Sequence, residues 1–330
     1  MKRDDPMPPP PAGAPGGGPS HVLSFDVEEY FQVEAAAARV RPEDWPGFPS
    51  RLEPAVDAIL QMLADHNASA TFFVLGWVAR RQGHLVARIA GAGHEIASHG
   101  MSHQMLHRLT PEKLQAELTD SKKLLEDLSS CPVSGYRAPT FSITHQTAWA
   151  IDSLVAAGYT YDSSIFPIRH DRYGVPDAPR WAHWAVGPAG GRILEIPPLT
   201  LRLLGMNLPV GGGGYLRLLP IGLVHRGLRA AANAGQAGVI YLHPWELDPA
   251  QPPLPMGRLS RWRHRVNLHR TADKLRWLLS RHAFGSFRGS MRMLTSSAVG
   301  EYALGIPTGK AIAAAGSSAV WQQSQRTSGR

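Results

Sequence analysis

The chain has 330 residues, of which 43% are hydrophobic and 18% are charged, and it contains a single cysteine, Cys131. This length supplies enough apolar material for one large domain or two small ones. One cysteine excludes an intramolecular disulfide framework and a cysteine-based zinc finger. The longest nearly apolar run, residues 70–79, is about half of the roughly 18 residues that a membrane-spanning helix needs.

The net charge of +8 comes from one late segment. Between Pro255 and Arg292 there are ten Lys or Arg residues and one acid, Asp273, so the rest of the chain carries a net charge of −1. This pattern indicates a solvated helix face or a site for anionic sugars or lipid headgroups, and it argues against nucleic-acid binding by the whole fold.

The composition divides the chain into four parts. Residues 1–20 contain seven Pro and four Gly, which predicts a disordered leader. That leader lacks the apolar stretch of a secretory peptide, so we expect a cytoplasmic protein, with the inner face of the cytoplasmic membrane as a further option. We expect the main domain over residues 21–250, a basic extension over 251–294 and a weakly structured, low-complexity tail over 295–330.

Short apolar runs alternate with helical periodicities, which predicts an α/β fold with a parallel sheet, open or closed into a barrel. The seven predicted strands are His21–Asp26, Ala70–Leu75, His94–Ala97, Val133–Tyr136, Tyr159–Asp162, Ile193–Ile196 and Val239–Leu242. The predicted helices are Leu52–Asp65, His84–Ala92, Pro111–Leu128, Gln146–Ala157 and Tyr215–Ala234. A barrel would place its chemistry at the C-terminal ends of the strands.

The first predicted strand ends in acidic residues. With the period of two of a strand, Asp26 and Glu28 point to one face, and Val27 and Glu29 point to the other. Two carboxylates on one face suit a general base beside a metal ligand. A solvated acidic edge explains the same stretch equally well.

Histidines follow the third predicted strand. His99 and His103 are four residues apart, so a helical turn would bring both imidazoles to one side, where neutral nitrogens could bind zinc. His103 and His107 form a second pair with the same spacing. Structural or surface histidines therefore remain the alternative.

Three other strand ends carry polar or special residues. Arg137 lies between Gly and Pro in GYRAP, and Asp162 precedes two serines; both patterns are also typical of turns and caps. His243 ends a buried strand in LHPWE, where it suits an acid or base. The run Gly211–Gly214 predicts a flexible loop at the rim.

In order, the five stretches SFDVEEYFQV, SHGMSHQ, GYRAP, YDSS and YLHPWE resemble the motifs of the polysaccharide deacetylase family, the NodB-homology domains of carbohydrate esterase family four. The resemblance covers about two thirds of the chain, residues 22–246, and is strongest to the branch associated with exosortase and exopolysaccharide loci. It implies a distorted (β/α) barrel of about seven parallel strands with a small basic C-terminal extension.

The resemblance also implies an activity. Family members use one divalent metal, commonly Zn²⁺, to remove N-acetyl groups from N-acetylhexosamine units. The implied substrate is a polysaccharide or a lipid-linked oligosaccharide of exopolysaccharide biosynthesis.

Roles for individual residues follow from the matched motifs. His99 and His103 would bind the metal, Asp26 would be the base, and His243 would be the acid. Arg137 would orient the base. Asp162 corresponds loosely to the residue that polarises the acid.

The chain departs from the family at its first motif. The common pattern has two adjacent aspartates, the second of which binds metal, whereas this chain reads Asp26-Val27-Glu28-Glu29. Strand geometry favours Glu28 as the third ligand, and a kink at the strand end would favour Glu29.

Substrate contacts and partners complete the expectations. Residues expected to contact the sugar are Tyr136, Pro139, Phe141 and Trp245. The partners are an N-acetylated glycan and, through residues 255–292, an anionic membrane surface, so neutralising the arginines of the segment should abolish liposome binding (Arg258, Arg261, Arg263 and Arg265).

Other functions remain open from the sequence. The same fold and metal would serve a hydrolase of cyclic amides such as allantoin. The altered acid pair would also fit a sugar-binding protein without turnover, and residues 255–292 would fit a nucleic-acid binder whose affinity falls steeply with salt.

Overall fold

The structure is a computed structural model that describes residues 21–170 and 172–305. The predicted leader, residues 1–20, and residues 306–330 of the predicted tail lie outside the described residues. Within the described part of the chain, no helix is long and apolar enough to cross a membrane.

The described ranges contain twelve strands and ten α-helices. The strands are β1 (His21–Val27), β2 (Thr71–Val74), β3 (Glu95–Ser98), β4 (Gly135–Tyr136), β5 (Tyr161–Asp162), β6 (His183–Val186), β7 (Arg192–Glu195), β8 (Thr200–Leu203), β9 (Met206–Pro209), β10 (Val239–Leu242), β11 (Phe284–Gly285) and β12 (Glu301–Ala303). The helices are α1 (Leu52–Asp65), α2 (Gly76–Arg81), α3 (Gly83–Gly91), α4 (Pro111–Ser129), α5 (Trp149–Ala156), α6 (Gly213–Leu218), α7 (Ile221–Asn233), α8 (Arg258–Arg265), α9 (Thr271–Leu279) and α10 (Phe287–Ser296).

Seven parallel strands form the centre of the main sheet, in the order β10-β1-β2-β3-β4-β5-β7. Each of them overlaps one of the seven predicted strands, so the predicted α/β class is confirmed. The strands are fully buried or nearly so, because helices cover the outside of a parallel sheet and side chains fill its inside.

The helices also follow the sequence pattern. Helix α1 has the predicted bounds, and α4 begins at Pro111 after Thr110, whose side chain accepts a hydrogen bond from the backbone N–H of Lys113. The single helix predicted over Tyr215–Ala234 is wrong, because the chain forms α6 and α7 on either side of a break at Pro220. Proline lacks an N–H and clashes with the preceding turn, so it starts α7 and cannot continue α6.

The sheet curls into a distorted barrel that regular strands do not close. The gap between β7 and β10 is bridged by the irregular chain after β7. Leu199 donates its backbone N–H to the carbonyl of Val239 (2.9 Å), and Tyr241 donates to the carbonyl of Gly211 (2.8 Å). The run Gly211–Gly214 therefore packs against β10 and begins α6; the prediction of a flexible rim loop is wrong.

The C-terminal part of the chain is integrated into the same fold. Leu275 and Leu278 of α9 belong to the main core, and Phe287 at the start of α10 packs against Phe73 of β2. Beyond β7, the sheet continues with antiparallel β6 and then β12, which pairs parallel with β6. Strand β12 lies within the segment predicted as a tail, and its central residue Tyr302 is buried.

Candidate active site

Asp26 and Arg137 form a buried ion pair at the C-terminal ends of β1 and β4. Arg137 Nη1 donates to Asp26 Oδ1 (2.6 Å) and to Ser24 Oγ (2.9 Å). Its other nitrogens donate to the carbonyl and hydroxyl oxygens of Ser163, and its guanidinium lies 4.1 Å from the centre of the Phe73 ring. Because every side of the guanidinium is held, one oxygen of Asp26 has a fixed partner and a fixed direction.

Glu28, His99 and His103 form a buried cluster beside this pair. One potential ligand atom from each residue lies within 4.8 Å of the other two. Glu28 Oε2 is 2.5 Å from His103 Nε2 and 3.9 Å from His99 Nε2. The Nε2 atoms of both imidazoles therefore face the same carboxylate oxygen, as ligands around one ion would.

The donor set of this cluster fits a divalent metal such as zinc. Burial lowers the pKa of His99 to about 4, so its imidazole is neutral near pH 7. His99 Nδ1 lies 2.8 Å from the carbonyl of Arg137, which places the proton on Nδ1 and leaves the Nε2 lone pair free. Burial would raise the pKa of Glu28, but the neighbouring imidazoles, His103 first, lower it to about 2. Two imidazole nitrogens and one carboxylate are a typical set for a zinc site with an open position.

Glu29 occupies a different environment from Glu28. Its carboxylate accepts a hydrogen bond from the backbone N–H of Arg51 (3.1 Å) and another from Gln82 Nε2 (3.3 Å). The alternation of a strand thus continues to Glu28, and Glu29 points away from the histidines. Of the two acids, the geometry favours Glu28 as the ligand.

His243 faces the two acidic residues from the end of β10. Its Nε2 is 3.9 Å from Asp26 Oδ2 and 3.7 Å from Glu28 Oε1. Burial lowers the pKa of His243, yet the surrounding carboxylates, Glu28 and Glu246 foremost, raise it to about 9. His243 is therefore protonated near neutral pH, in the state that donates a proton.

The partner of His243 is Glu246, which corrects the prediction for Asp162. Glu246 Oε2 lies 3.1 Å from His243 Nδ1 and also accepts from the backbone N–H of His243 (3.0 Å). The buried Arg217 donates to the other carboxylate oxygen (2.9 Å). Burial would raise the pKa of Glu246, but Arg217 and His243 lower it.

A signal for Glu246 was present in the sequence. An acid three residues after a helix-capping residue, with Pro at the first helical position, is the pattern of a capping box. His243, Pro244 and Glu246 form that arrangement at a short 3₁₀ helix. Arg217 carries no comparable signal, because it reaches Glu246 from α6, about 30 residues earlier in the chain.

Asp162 instead forms a buried acid pair with Glu195 of the neighbouring strand β7. Asp162 Oδ1 accepts from Ser164 Oγ (2.5 Å), and Glu195 accepts from the backbone N–H of Ile165 (3.0 Å). Burial raises the pKa of Asp162 to about 6, and burial together with Asp162 raises the pKa of Glu195 well above its usual value. The pair therefore holds a proton near neutral pH. Ser164, which it binds, accepts a hydrogen bond from the backbone N–H of Ala138 (2.8 Å), the residue after Arg137.

A cavity of about 320 Å³ is lined by Asp26, by the metal cluster and by His243. Two of the four predicted sugar contacts also line it. Phe141 and Trp245 line it. Tyr136 and Pro139 do not belong to its lining. Tyr136 is buried in the main core with its ring against Tyr159, and Pro139 is buried at the start of a 3₁₀ turn. Trp245 also donates from Nε1 to Glu28 Oε1 (3.4 Å), so it helps to hold that carboxylate.

Left-handed backbone is concentrated at this cavity. His103 (φ 56°), Thr140 (φ 56°) and Phe141 (φ 50°) all line it and all have positive φ. Such conformations cost energy for residues with a Cβ atom, and they persist where the surrounding structure imposes them, frequently at functional sites.

Gly213 is required for the position of Glu246. A Cβ atom at position 213 would overlap the Glu246 carboxylate. The absence of a side chain at this point lets the acid lie between His243 and Arg217.

The fold and the site define a class of protein: a barrel-like α/β protein with a potential metal site, a buried Asp–Arg pair and a protonated histidine at the strand ends. Residues 43–161 match the family model described as polysaccharide deacetylase. Residues 163–292 match a domain of unknown function, DUF3473, which fits the exopolysaccharide-associated branch. Residues 43–161 are thus similar to polysaccharide deacetylase domains, in agreement with the resemblance of the sequence motifs.

Individual relatives agree with this family. The chain is 37% identical over 68 residues to a peptidoglycan-N-acetylglucosamine deacetylase of Bacillus cereus, covering 21% of this chain and 32% of the relative. It is 34% identical over 96 residues to a chitooligosaccharide deacetylase of Rhizobium leguminosarum bv. trifolii, covering 29% and 42%. The matches thus span less than half the length of these curated relatives.

A solved structure from Mycobacterium smegmatis, assigned to the polysaccharide deacetylases, resembles the fold of this chain. The two share 20% sequence identity at a TM-score of 0.54, over 88% of this chain and 95% of that one. This likeness supports the barrel-like architecture.

Changing a ligand of the cluster should weaken metal binding. We expect Glu28→Gln and His103→Ala to weaken Zn²⁺ binding by more than the roughly 10–100-fold that loss of an outer partner costs, because the first replaces an anionic carboxylate by a neutral amide and the second removes the imidazole nitrogen. Isothermal titration with Zn²⁺ and elemental analysis of the purified protein measure this.

Matched controls come from the two alternatives in the sequence. Glu29→Gln and His107→Ala should bind Zn²⁺ like the wild type, because Glu29 points away and His107 is exposed. Loss of metal in Glu29→Gln with retention in Glu28→Gln would contradict the assignment.

The acid pair predicts a pH-dependent stability. Folding raises the pKa values of both Asp162 and Glu195, so the folded state binds protons more tightly than the unfolded state. The pair therefore stabilises the fold fully below about pH 4, and this stabilisation is lost as the pH rises through about 6 and beyond. Glu195→Gln keeps a hydrogen-bonding group without the charge. This variant should therefore reduce the slope of the unfolding free energy against pH, between about pH 5 and pH 8, by up to roughly 1.4 kcal/mol per pH unit. Urea unfolding at a series of pH values measures it.

The exposed acid Asp120 supplies the control for this experiment. Asp120→Asn should keep the wild-type dependence of unfolding free energy on pH. An unchanged slope in Glu195→Gln would show that the pair is not protonated in the folded state.

Proposed function

We propose that the protein is a metal-dependent N-deacetylase that hydrolyses the acetamido groups of N-acetylhexosamine units in a glycan. The observation that carries the proposal is the convergence of three units on one cavity: the Glu28/His99/His103 cluster, the Asp26–Arg137 pair and the His243–Glu246 pair. The names of the curated relatives support the same reaction class.

The buried cluster supports zinc as the metal. When bound there, a divalent metal supplies a Lewis acid that polarises the acetyl carbonyl and activates water. Trp245 and the carbonyl of Arg137 hold Glu28 and His99 in orientation. Such outer contacts fix the ligands before the ion arrives.

Asp26 accepts the proton of the attacking water. Arg137 occupies Oδ1 of Asp26, so Oδ2, which faces His243 at 3.9 Å, is the oxygen that remains for this proton. The fixed guanidinium keeps the carboxylate oriented toward the cavity.

His243 then donates a proton to the leaving amine. An amide nitrogen cannot leave as an anion, so cleavage of the C–N bond requires this proton. Glu246 holds the Nδ1 side of the imidazole, which directs Nε2 toward the acidic residues of the cavity. Asp26 and His243 therefore divide the base and acid roles.

The outer face of α8 supports action at a membrane surface. Arg258, Arg261, Arg265 and Trp262 lie at helical spacing on this face, around a shallow groove. Trp262 is 56% exposed, and Leu259 beside it is 60% exposed. Exposed Trp and Leu among arginines are typical of segments that bind anionic lipid headgroups. We infer a lipid-linked substrate; the location at the inner face of the cytoplasmic membrane and the role in exopolysaccharide biosynthesis stay predictions.

Acetate release tests the proposed reaction. Metal-loaded wild type should release acetate from N-acetylglucosamine oligomers, and Asp26→Asn should lower kcat by about 10²–10⁴-fold, the usual contribution of a general base. Zn²⁺ content should remain at the wild-type value in this variant. His243→Gln should also lower kcat, whereas His107→Gln serves as the matched histidine control.

Two results would contradict the proposal. The first is a wild-type protein that binds metal stoichiometrically and releases no acetate from any oligomer. Hydrolysis of allantoin by this protein would then identify the cyclic amide alternative. A kcat of Asp26→Asn within a few fold of the wild type would remove Asp26 as the base.

Vesicle binding tests the outer face of α8. Replacing its three arginines by Gln (Arg258→Gln, Arg261→Gln and Arg265→Gln) should weaken binding to phosphatidylglycerol vesicles by about two orders of magnitude, because each arginine near an anionic surface contributes about 1 kcal/mol. Co-sedimentation at low salt measures the change.

A charge-matched variant separates this surface from net charge. Three exposed arginines elsewhere provide it (Arg39→Gln, Arg226→Gln and Arg229→Gln). Equal loss of binding in both triple variants would show that total charge, and not α8, attracts the vesicle.

A further inference from the structure

The inner face of α8 lines the same cavity as the metal cluster. Ser260, Arg263 and His264 lie at helical spacing on this face and belong to the cavity wall. Within the described part of the chain, the Arg263 guanidinium has no ion-pair partner. One short helix thus presents arginines on both sides, and Arg263 is the one that borders the catalytic space.

A second arginine borders the cavity from another loop. Arg172 lies in the segment after β5, next to Tyr173, which stacks on Phe166, and both Arg172 and Tyr173 line the cavity. The described residues provide no carboxylate partner for the Arg172 side chain. We call Arg172 and Arg263 together the basic rim.

Other charges of the cavity wall that could neutralise the basic rim already have partners. Asp26 is paired with Arg137 at 2.6 Å, and Glu28 contacts His103 at 2.5 Å. Glu34 is paired with Arg108 at 2.6 Å, a residue that lies outside the lining. The two guanidiniums of the basic rim are therefore a surplus of positive charge over the cavity.

Arg263 is placed by the network that holds the catalytic histidine. Arg217 Nη1 donates to the carbonyls of Arg263 (3.1 Å), His264 (2.9 Å) and Val266 (3.1 Å), while its Nε donates to Glu246. The C-terminal end of α8 is thus fixed relative to Glu246. The backbone that carries Arg263 therefore keeps its position without substrate.

We propose that the basic rim is a subsite for an acidic group of the substrate, a carboxylate or a phosphate, on the sugar that carries the acetamido group or on its immediate neighbour. Guanidinium groups match the planar oxygen pairs of carboxylates and phosphates. A cavity of about 320 Å³ is near the lower end of the roughly 300–1,000 Å³ of small-molecule sites, so a group at the rim is close to the reacting acetamide. This inference rests on the proposed function and specifies its substrate class.

Three probes distinguish a carboxylate from a phosphate as the acidic group of the substrate. They are a neutral N-acetylglucosamine tetramer, a tetrasaccharide that alternates N-acetylglucosamine with glucuronate, and the neutral tetramer with a 1-phosphate. For the metal-loaded wild type, kcat/KM should be at least about tenfold higher for one of the acidic probes than for the neutral one. The preferred acidic probe identifies carboxylate or phosphate.

Variants of the basic rim test the same preference. Arg172→Gln with Arg263→Gln should remove the tenfold advantage and leave kcat/KM for the neutral tetramer within about twofold of the wild type. Arg258→Gln is the matched control, because it removes the same charge from the outer face of the same helix. It should leave the preference unchanged.

Direct binding separates this inference from the proposed function. Isothermal titration of metal-loaded protein with each probe requires no turnover, so a loss of acidic-probe affinity in the double variant supports the subsite even without acetate release. An equal fall of affinity for neutral and acidic probes in the double variant would overturn it. A wild type that binds the neutral tetramer as tightly as both acidic probes would overturn it as well.

Discussion

The buried guanidinium of Arg137 is the interaction on which the site depends. It joins the end of β1, through Ser24 and Asp26, to the chain after β5, through Ser163. A fully buried charge is costly unless every donor has a partner, and here the partners come from separate strands that the barrel brings together. The ion pair therefore requires the curled arrangement of the strands, and it fixes the carboxylate that faces the cavity.

The sequence was sufficient to predict the features that depend on local hydrophobic periodicity. Apolar runs located the seven parallel strands, and strand alternation favoured Glu28 over Glu29, because both depend on local periodicity. The partner of His243 was not predictable in this way. Asp162 matched a motif but is held by Ser164 and Glu195, whereas Glu246 reaches His243 through a tight turn. Contacts across the barrel, such as that of Arg217, have no local pattern.

The two matched segments of the chain contribute different parts of one site. The polysaccharide deacetylase match contains His99, His103 and Arg137, while the segment of unknown function contains β7, β10, His243 and its partners. The second segment also provides α8, whose opposite faces border the cavity and the outer groove. The barrel and the catalytic arrangement are complete only when both segments are folded together.

The contact between Gly213 and Glu246 limits what can be learned from motifs in related sequences. The constraint at position 213 is one of volume and not of chemistry, since any side chain would displace the acid that holds His243. A descendant with Ala at this position would retain every recognisable motif and would still lose the contact that orients His243. In sequences of this type, a single methyl group at a position outside every motif can therefore change the arrangement of the site.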